Sequence, residues 1–183
     1  MGFLSGISTR THQFVNKAAP HKVKILDTRK TLPGLRALEK YAVRIGGGYN
    51  HRFSLDEMIL IKDNHIKAAR CTLHAARLKN IIEPARREIP RGMRLEIEVI
   101  NLREFKEALE ENPDIILLDN MKIKDIKKAV EIMCIAQNAC LSGRQAQRKT
   151  KLEASGNICL KNIKQIAATG VDFVSSGILT KDI

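Results

Sequence analysis

The sequence predicts an α/β fold, a parallel (β/α) barrel that is TIM-like but incomplete, with about six strands. Three observations predict it. Short apolar runs typical of buried strands recur along the 183 residues. Segments with apolar residues at helical spacing separate these runs. Polar and charged residues follow most of the apolar runs, at the end where a barrel of parallel strands builds its sites.

The predicted elements alternate along the whole chain. We expect an amphipathic helix within residues 1–19, and a second helix that Pro33-Gly34 opens, with Thr31 as its cap, and that Gly46 to Gly48 end. Its apolar positions at helical spacing are Leu35, Leu38, Tyr41, Ala42 and Ile45. A long helix is expected over 67–88, and shorter ones around 102–109, 126–133 and 160–167. The predicted strands are 23–27, 58–62, 95–99, 115–119, 152–155 and 171–176.

This order gives one main domain. Residues 1–22 are interpreted as an N-terminal helix and linker, and residues 23–183 as the barrel domain, shortened at its C-terminal end. The polar stretch 138–151 is predicted to be a mobile loop.

An open doubly wound sheet is the competing architecture. It loses support because no strand is followed by G-x-G-x-x-G, and Gly46-Gly47-Gly48 lacks the Lys-Ser/Thr of a P-loop.

Composition narrows the class of partner. The net charge of +12 is compatible with nucleic acid, but two Tyr, five Phe and no Trp argue against a nucleic-acid surface. An anionic small molecule explains the charge equally well, and no nucleic-acid partner is expected. No apolar run approaches the ~20 residues of a membrane span, and no signal peptide is recognised. The four cysteines show no zinc spacing and are predicted to be reduced thiols of a cytoplasmic protein.

The residues at the strand ends divide by chemistry. Arg29, Lys30, His51, Arg52 and Lys62 suit carboxylates or phosphates. Any one of them also has a purely structural explanation, such as a lysine that snorkels at a strand tip. Convergence of all the ends on one barrel face favours a site.

Two further groups complete this interpretation. Glu98 and Asp119 are placed to hold a Mg²⁺ carried by a diphosphate. Ser155-Gly156 and Ser176-Gly177, on the last two strands, suit a phosphate bound by backbone N–H groups. A metal site, a phosphate cradle and a cationic pocket together suggest a phosphorylated sugar diphosphate that reacts with an anionic partner.

Several of these segments resemble one known family. They are DTRKTLPGLR (27–36), EKYAVRIGGG (39–48), NHR (50–52), LIKDNHI (60–66), LLDNM (117–121) and LEASG (152–156). In this order, over nearly the whole chain, they resemble quinolinate phosphoribosyltransferase, also called carboxylating nicotinate-nucleotide pyrophosphorylase. The first segment alone is highly specific.

The resemblance implies a reaction of NAD biosynthesis. Quinolinate attacks C1 of 5-phosphoribosyl 1-diphosphate, Mg²⁺ assists the loss of diphosphate, and decarboxylation gives nicotinate mononucleotide. By likeness to the family, Arg29, His51, Arg52 and Lys62 hold the two carboxylates of quinolinate. Lys30 lies between the two substrates, and Glu98 and Asp119 face the ribose hydroxyls and the metal.

The rest of the implied site binds the 5′-phosphate through Ser155, Gly156 and Gly177. Thr28 and Ser176 complete the predicted substrate-binding set, and Lys30, Lys62, Glu98 and Asp119 are the predicted catalytic residues. A homodimer is also implied.

The chain departs from the family pattern in places. The resemblance implies an N-terminal α/β domain before residue 4 that this sequence does not contain. Asn157 stands where a second glycine is common, and Lys181-Asp182 replaces His-Ser. Two alternatives therefore stay open. One is a barrel that binds phosphorylated ligands without turnover or is completed by another chain. The other is a paralogous phosphoribosyltransferase with a different acceptor, against which His51, Arg52 and Lys62 argue.

Overall fold

The structure is a computed structural model that describes residues 2–72, 77–140 and 150–181. Within these ranges, strands and helices alternate as the sequence predicts. The strands are β1 (Lys24–Leu26), β2 (Met58–Ile61), β3 (Arg94–Val99), β4 (Ile115–Asp119), β5 (Lys151–Ser155) and β6 (Phe173–Ser175). The helices are α1 (Gly2–Ala18), α2 (Arg36–Ile45), α3 (Asp63–Thr72), α4 (Lys79–Glu88), α5 (Leu102–Glu110), α6 (Ile123–Cys140), α7 (Ile163–Ala167) and α8 (Ile178–Lys181).

The described strands form one six-stranded sheet in the order β1-β6-β5-β4-β3-β2. The first strand pairs in parallel with the last one, Ile25 opposite Val174. The strands β2 to β6 follow one another as they do in the chain, which is the cyclic order of a (β/α) barrel. The predicted α/β class with about six parallel strands is confirmed.

The start of the second helix was predicted wrongly. Gly34 has φ +78°, a left-handed conformation that cannot belong to an α-helix. Residues 33–35 therefore form a turn, and α2 begins at Arg36, with Leu35 as its N-cap residue instead of Thr31. The predicted end at Gly46 is confirmed, since this glycine is the C-cap residue.

The long helix expected over 67–88 is two helices in the described part of the chain. The helix α3 already begins at Asp63 and extends to Thr72, and α4 extends from Lys79 to Glu88 with Pro84 inside it. A second correction concerns the loop predicted over 138–151. The helix α6 continues to Cys140 and β5 begins at Lys151, while residues 141–149 lie outside the described residues.

The chain divides into two compact units. The first comprises Met1–Leu55 and Glu153–Ile183, and the second comprises Asp56–Leu152. In the first, α1 buries Ile7, Thr11 and Phe14 and packs on α2. The Ser8 hydroxyl donates to the Ala42 carbonyl over 2.8 Å.

Gly46 permits this close packing of α1 on α2. A Cβ on Gly46 would lie 2.6 Å from Cβ of Thr11 and would collide with the Ser8 carbonyl.

In the second unit, β2, β3 and β4 pair in parallel around a core that includes Ile97 and Leu118. No helix among the described residues is long and apolar enough to cross a membrane.

Candidate active site

Two of the predicted cationic segments lie side by side in the first unit. The strand β1 ends at Leu26, which forms a parallel bridge with Tyr49. The Tyr49 N–H donates to the Ile25 carbonyl over 2.8 Å, and the Asp27 N–H donates to the Tyr49 carbonyl over 3.1 Å. Residues 28–30 and 50–52 therefore leave the sheet edge next to each other. This places Arg29 and Lys30 beside the segment that carries His51 and Arg52.

The Asp27 carboxylate joins these two segments. It is fully buried and accepts from Lys40 Nζ at 2.5 Å, from Asn50 Nδ2 at 2.6 Å and from the His51 N–H at 2.9 Å. Burial raises the pKa of this carboxyl, while the Lys40 charge and the hydrogen bonds act in the opposite direction. Every one of these donors favours the carboxylate, so the group forms a buried ion pair with Lys40.

Arg36, the first residue of α2, supports the segment of residues 28–31 from the other side. Its guanidinium donates to Thr31 Oγ1 at 3.2 Å, to the Arg29 carbonyl at 3.4 Å and to the Phe53 carbonyl at 3.5 Å. The Lys30 N–H donates to Thr28 Oγ1 at 3.2 Å, which tightens the turn. The backbone of the segment is thus held, while the Lys30 side chain remains exposed.

The predicted phosphate cradle lies in the same unit. Ser155 ends β5, and Gly156 and Asn157 follow in left-handed conformations with φ 89° and φ 50°. Asparagine tolerates this conformation better than most residues, which explains how it stands at a position where glycine is common. The Ser175 hydroxyl contacts the Ser155 hydroxyl at 3.0 Å.

The Ser176 side chain is buried, and its donors are used within the first unit. Its hydroxyl donates to the Ile158 carbonyl at 2.7 Å, and its N–H donates to the Leu26 carbonyl at 3.1 Å. The structure therefore gives Ser176 the role of holding the chain just before Gly177.

The segment after β6 reaches the Lys30 turn. The Thr180 hydroxyl donates to the Lys30 carbonyl at 2.7 Å. A Cβ placed on Gly177 would lie 3.2 Å from Cδ of Lys30 and 3.5 Å from Oγ1 of Thr28. The predicted phosphate-binding residue Gly177 is therefore in direct proximity to the predicted catalytic lysine.

The second unit contains the predicted metal-binding carboxylates and the predicted catalytic residue Lys62. Lys62 follows β2, Glu98 lies on β3 and Asp119 ends β4. The register pairs Ile61 with Ile97, so Lys62 and Glu98 each lie one residue beyond this pair, and it pairs Glu98 with Leu117, so Asp119 lies two residues further along β4, on the same face of the sheet as Leu117. All three lie at the carboxyl ends of parallel strands, as the sequence predicts.

The electrostatics of Glu98 reflect this arrangement. Burial raises the pKa of the Glu98 carboxyl, and the neighbouring Asp119 charge raises it further. Lys62 and a hydrogen bond from the Asp63 N–H act in the opposite direction. Two carboxylates that repel each other in a half-buried place can be stabilised by a cation, and carboxylate oxygens suit Mg²⁺.

Sequence reasoning assigned no role to Asp27, Arg36, Lys40 or Asn50. A signal was present in α2, where Glu39 and Lys40 interrupt the apolar pattern. The structure buries these two residues and leaves Leu38, Tyr41 and Ile45 at least half exposed. Lys40 pairs with Asp27, and Glu39 accepts from the Leu32 N–H at 3.1 Å through Oε1, while its buried Oε2 has no hydrogen-bond partner among the described residues.

The chain is similar to known proteins over almost its whole length. A family model described as "Quinolinate phosphoribosyl transferase, C-terminal domain" matches residues 7–183. The chain is 43% identical to a probable nicotinate-nucleotide pyrophosphorylase [carboxylating] of Synechocystis sp., covering 94% of this chain and 53% of that protein.

Solved structures agree with this similarity. A crystal structure of a NadC deletion mutant has a TM-score of 0.84 at 39% identity and covers 98% of this chain and 57% of that one. A nicotinate-nucleotide pyrophosphorylase from Ehrlichia chaffeensis has a TM-score of 0.79 at 42% identity, covering 96% of this chain and 57% of that one. This chain thus spans about half the length of such relatives. It belongs to the family of quinolinate phosphoribosyl transferase C-terminal domains.

Proposed function

We propose that this chain carries the catalytic part of a quinolinate phosphoribosyltransferase. The reaction would join the ring nitrogen of quinolinate to C1 of 5-phosphoribosyl 1-diphosphate, with release of diphosphate and CO₂ to give nicotinate mononucleotide. The observation that carries the proposal is the juxtaposition of residues 28–30 and 50–52. It brings the segment that carries Arg29 and Lys30 next to the segment that carries His51 and Arg52, and the buried Asp27 carboxylate joins the two, in a chain of this family.

The cationic residues would bind the dicarboxylate. Guanidinium groups form paired hydrogen bonds with carboxylates, so Arg29 and Arg52 suit the two carboxylates of quinolinate, assisted by His51 and Lys62. Lys30 is exposed and lies next to Gly177, and would lie between the acceptor and the ribosyl diphosphate. The main catalytic effect that we expect is electrostatic. Negative charge develops on the leaving diphosphate in the transition state, and fixed positive charges of the protein stabilise it there.

Ribose and phosphate recognition would fall to the remaining residues. Ser155, Gly156 and Gly177 would bind the 5′-phosphate, with Thr28 and Ser176 holding the backbone around them. Glu98 and Asp119 would accept from the ribose hydroxyls and hold a Mg²⁺. When bound, the metal would supply positive charge that neutralises the diphosphate. These two carboxylates suit a cation because the negative charge of Asp119 raises the pKa of Glu98, and a bound cation would offset this repulsion.

A homodimer in the cytoplasm completes the proposal. On α2, Leu38, Tyr41 and Ile45 expose between 50% and 62% of their surface in an i, i+3, i+7 row, which supports burial against a second chain. The thiols of Cys71 and Cys134 are free and exposed, which favours a reducing compartment.

A steady-state assay tests the activity. The purified chain is supplied with quinolinate, 5-phosphoribosyl 1-diphosphate and Mg²⁺, and nicotinate mononucleotide is measured. We expect product that depends on all three additions. Quinolinate binding without any product, even at high protein concentration, would support a non-catalytic barrel instead. Turnover of another acceptor but not of quinolinate would support the paralogous enzyme.

A further inference from the structure

The backbone of His51 is held on both sides by one buried ion pair. The His51 N–H donates to Asp27 Oδ1 at 2.9 Å, and Lys40 Nζ donates to the His51 carbonyl at 3.1 Å. Lys40 Nζ also binds Asp27 Oδ1 at 2.5 Å. Both peptide groups that flank the His51 side chain are therefore fixed by the same two residues.

Asn50 extends this hold by one residue. Its side-chain amide donates to Asp27 Oδ2 at 2.6 Å and to the Lys40 carbonyl at 2.9 Å. Residues 50–51 are thus attached to α2 through side chains and backbone alike. Arg52 follows directly, so the direction in which its guanidinium leaves the backbone is set by the same attachment.

The ion pair is poorly explained as a source of stability. The side chain of Lys40 is 4% exposed and that of Asp27 is 0% exposed. Removing two charges from water costs free energy that their attraction only partly repays, and apolar residues of similar volume often serve stability as well or better. A polar group held this firmly suits the precise placement of a neighbouring site instead.

We propose that Lys40 is a positioning residue for the acceptor dicarboxylate, acting through Asp27 and the His51 carbonyl. It rests on the proposed function, because the ligand is the dicarboxylate that His51 and Arg52 would bind. Lys40 itself contacts no substrate. Its effect is to fix His51 and Arg52 so that two carboxylates in a fixed relative geometry are recognised together, and a displacement of about 1 Å there is expected to cost up to about 100-fold.

The variant Lys40→Met tests the proposal, with Arg44→Met as the matched control. Arg44 is exposed on the same helix, and its substitution removes the same charge without touching the attachment. We expect Lys40→Met to raise the KM for quinolinate about 10- to 100-fold. The KM for 5-phosphoribosyl 1-diphosphate should change by less than about twofold. Arg44→Met should change neither KM. An equal rise of the two KM values in Lys40→Met would overturn the proposal.

The double variant Asp27→Leu/Lys40→Met separates positioning from stability. It replaces the ion pair by two apolar side chains, so its thermal unfolding temperature should match or exceed that of Lys40→Met. Its quinolinate affinity should nevertheless stay as low as that of the single variant, by calorimetry. A double variant that binds quinolinate as tightly as the unmodified chain would overturn the proposal.

Two further measurements keep the test decisive. If the Lys40 variants fail to fold, Asn50→Ala removes an exposed member of the attachment and should still weaken quinolinate binding selectively. Hydrogen exchange of the His51 amide needs no ligand and should accelerate in Lys40→Met. Unchanged exchange overturns the positioning role even if the unmodified chain binds no quinolinate, an outcome that would contradict the proposed function alone.

Discussion

At the scale of single residues, Glu98 is the side chain whose environment most resembles a functional site. It is half-buried, it lies beside the Asp119 carboxylate, and its pKa is raised by burial first and by that charge second. Carboxyl groups with perturbed pKa values concentrate at functional sites, which supports the assignment of Glu98 to ribose and metal binding.

The variant Glu98→Gln should stabilise the fold and impair the reaction. The folded-state pKa of Glu98 lies above its ordinary value of 4.5, so the folded chain holds this proton more tightly than the unfolded chain. Stability from this group is therefore lost as the pH rises from about 4.5 through the raised pKa. Urea unfolding should show Glu98→Gln to be more stable than the unmodified chain at pH 7, and the difference should vanish below pH ~4.5.

The same variant, Glu98→Gln, should also have a lower activity. Loss of the carboxylate should lower kcat/KM by about 100-fold or more in a discontinuous assay of nicotinate mononucleotide. The exposed Glu83 supplies a control, since Glu83→Gln removes the same charge from the same unit. A fall in stability at pH 7 would contradict the assigned pKa direction.

Arg52→Ala should affect one substrate far more than the other. A charge-assisted hydrogen bond contributes about 1.5–3 kcal/mol, which corresponds to a loss of about 10- to 100-fold in quinolinate affinity. The affinity for 5-phosphoribosyl 1-diphosphate should hardly change, because the phosphate residues lie on other segments. Calorimetry with each ligand measures both values, and equal losses would show that the division of the site is wrong.

The residue types of the site could be predicted from the sequence. The hydrogen bonds and ion pair that hold the site residues to α2 could not. Arg29, Lys62, Glu98 and Asp119 follow or end apolar runs, so their location needs only the rule for parallel strands. The pairing of Asp27 with Lys40 depends on which side of α2 faces the sheet. That side cannot be read from apolar spacing when the buried face carries two charged residues, Glu39 and Lys40.

At the scale of elements, α2 is the helix on which the first unit depends. Its inner face holds Asp27 through Lys40, its first residue Arg36 supports the Lys30 turn, and its C-terminal glycine packs on α1. Its predicted start was wrong because Gly34 adopts a left-handed conformation after Pro33. Proline at a helix start and proline in a turn have the same sequence signature, and only backbone geometry separates them.

Gly46→Ala should loosen the packing of α1 on α2. The new methyl group would collide with the Ser8 carbonyl and with Thr11, both on α1. Overpacking of this kind costs about 1–3 kcal/mol, measured by urea unfolding. Gly2→Ala is the control, because a methyl group there would meet no atom within 4 Å. Equal stability of the two variants would indicate that α1 does not pack as described.

At the scale of the whole molecule, charge is the property that the sequence predicts best. The 32 basic and 20 acidic residues give a net charge of +12. The first unit, residues 1–55 and 153–183, carries 13 basic and 5 acidic residues, a net charge of 13 − 5 = +8. A surplus of this size concentrates anions near the surface and accelerates their encounter.

The reaction should therefore slow at high ionic strength. The Debye length falls from about 10 Å at 0.1 M to about 3 Å at 1 M salt, which screens the attraction of both anionic substrates. We expect kcat/KM for quinolinate to fall several-fold over this range in KCl while kcat changes little. Insensitivity to salt would show that the surplus charge plays no part in substrate capture.

The pairing of β1 with β6 has a consequence for how the protein matures. The Lys30 turn is held by Thr180, and Arg10 of α1 donates to the Ile178 carbonyl, contacts that join residues 150 and 168 positions apart. Contacts of such separation make folding slow. The helices α1 and α2 precede these distant partners in the chain and are synthesised well before them. The surroundings of Lys30 therefore cannot be completed until β6 and Thr180 have been synthesised.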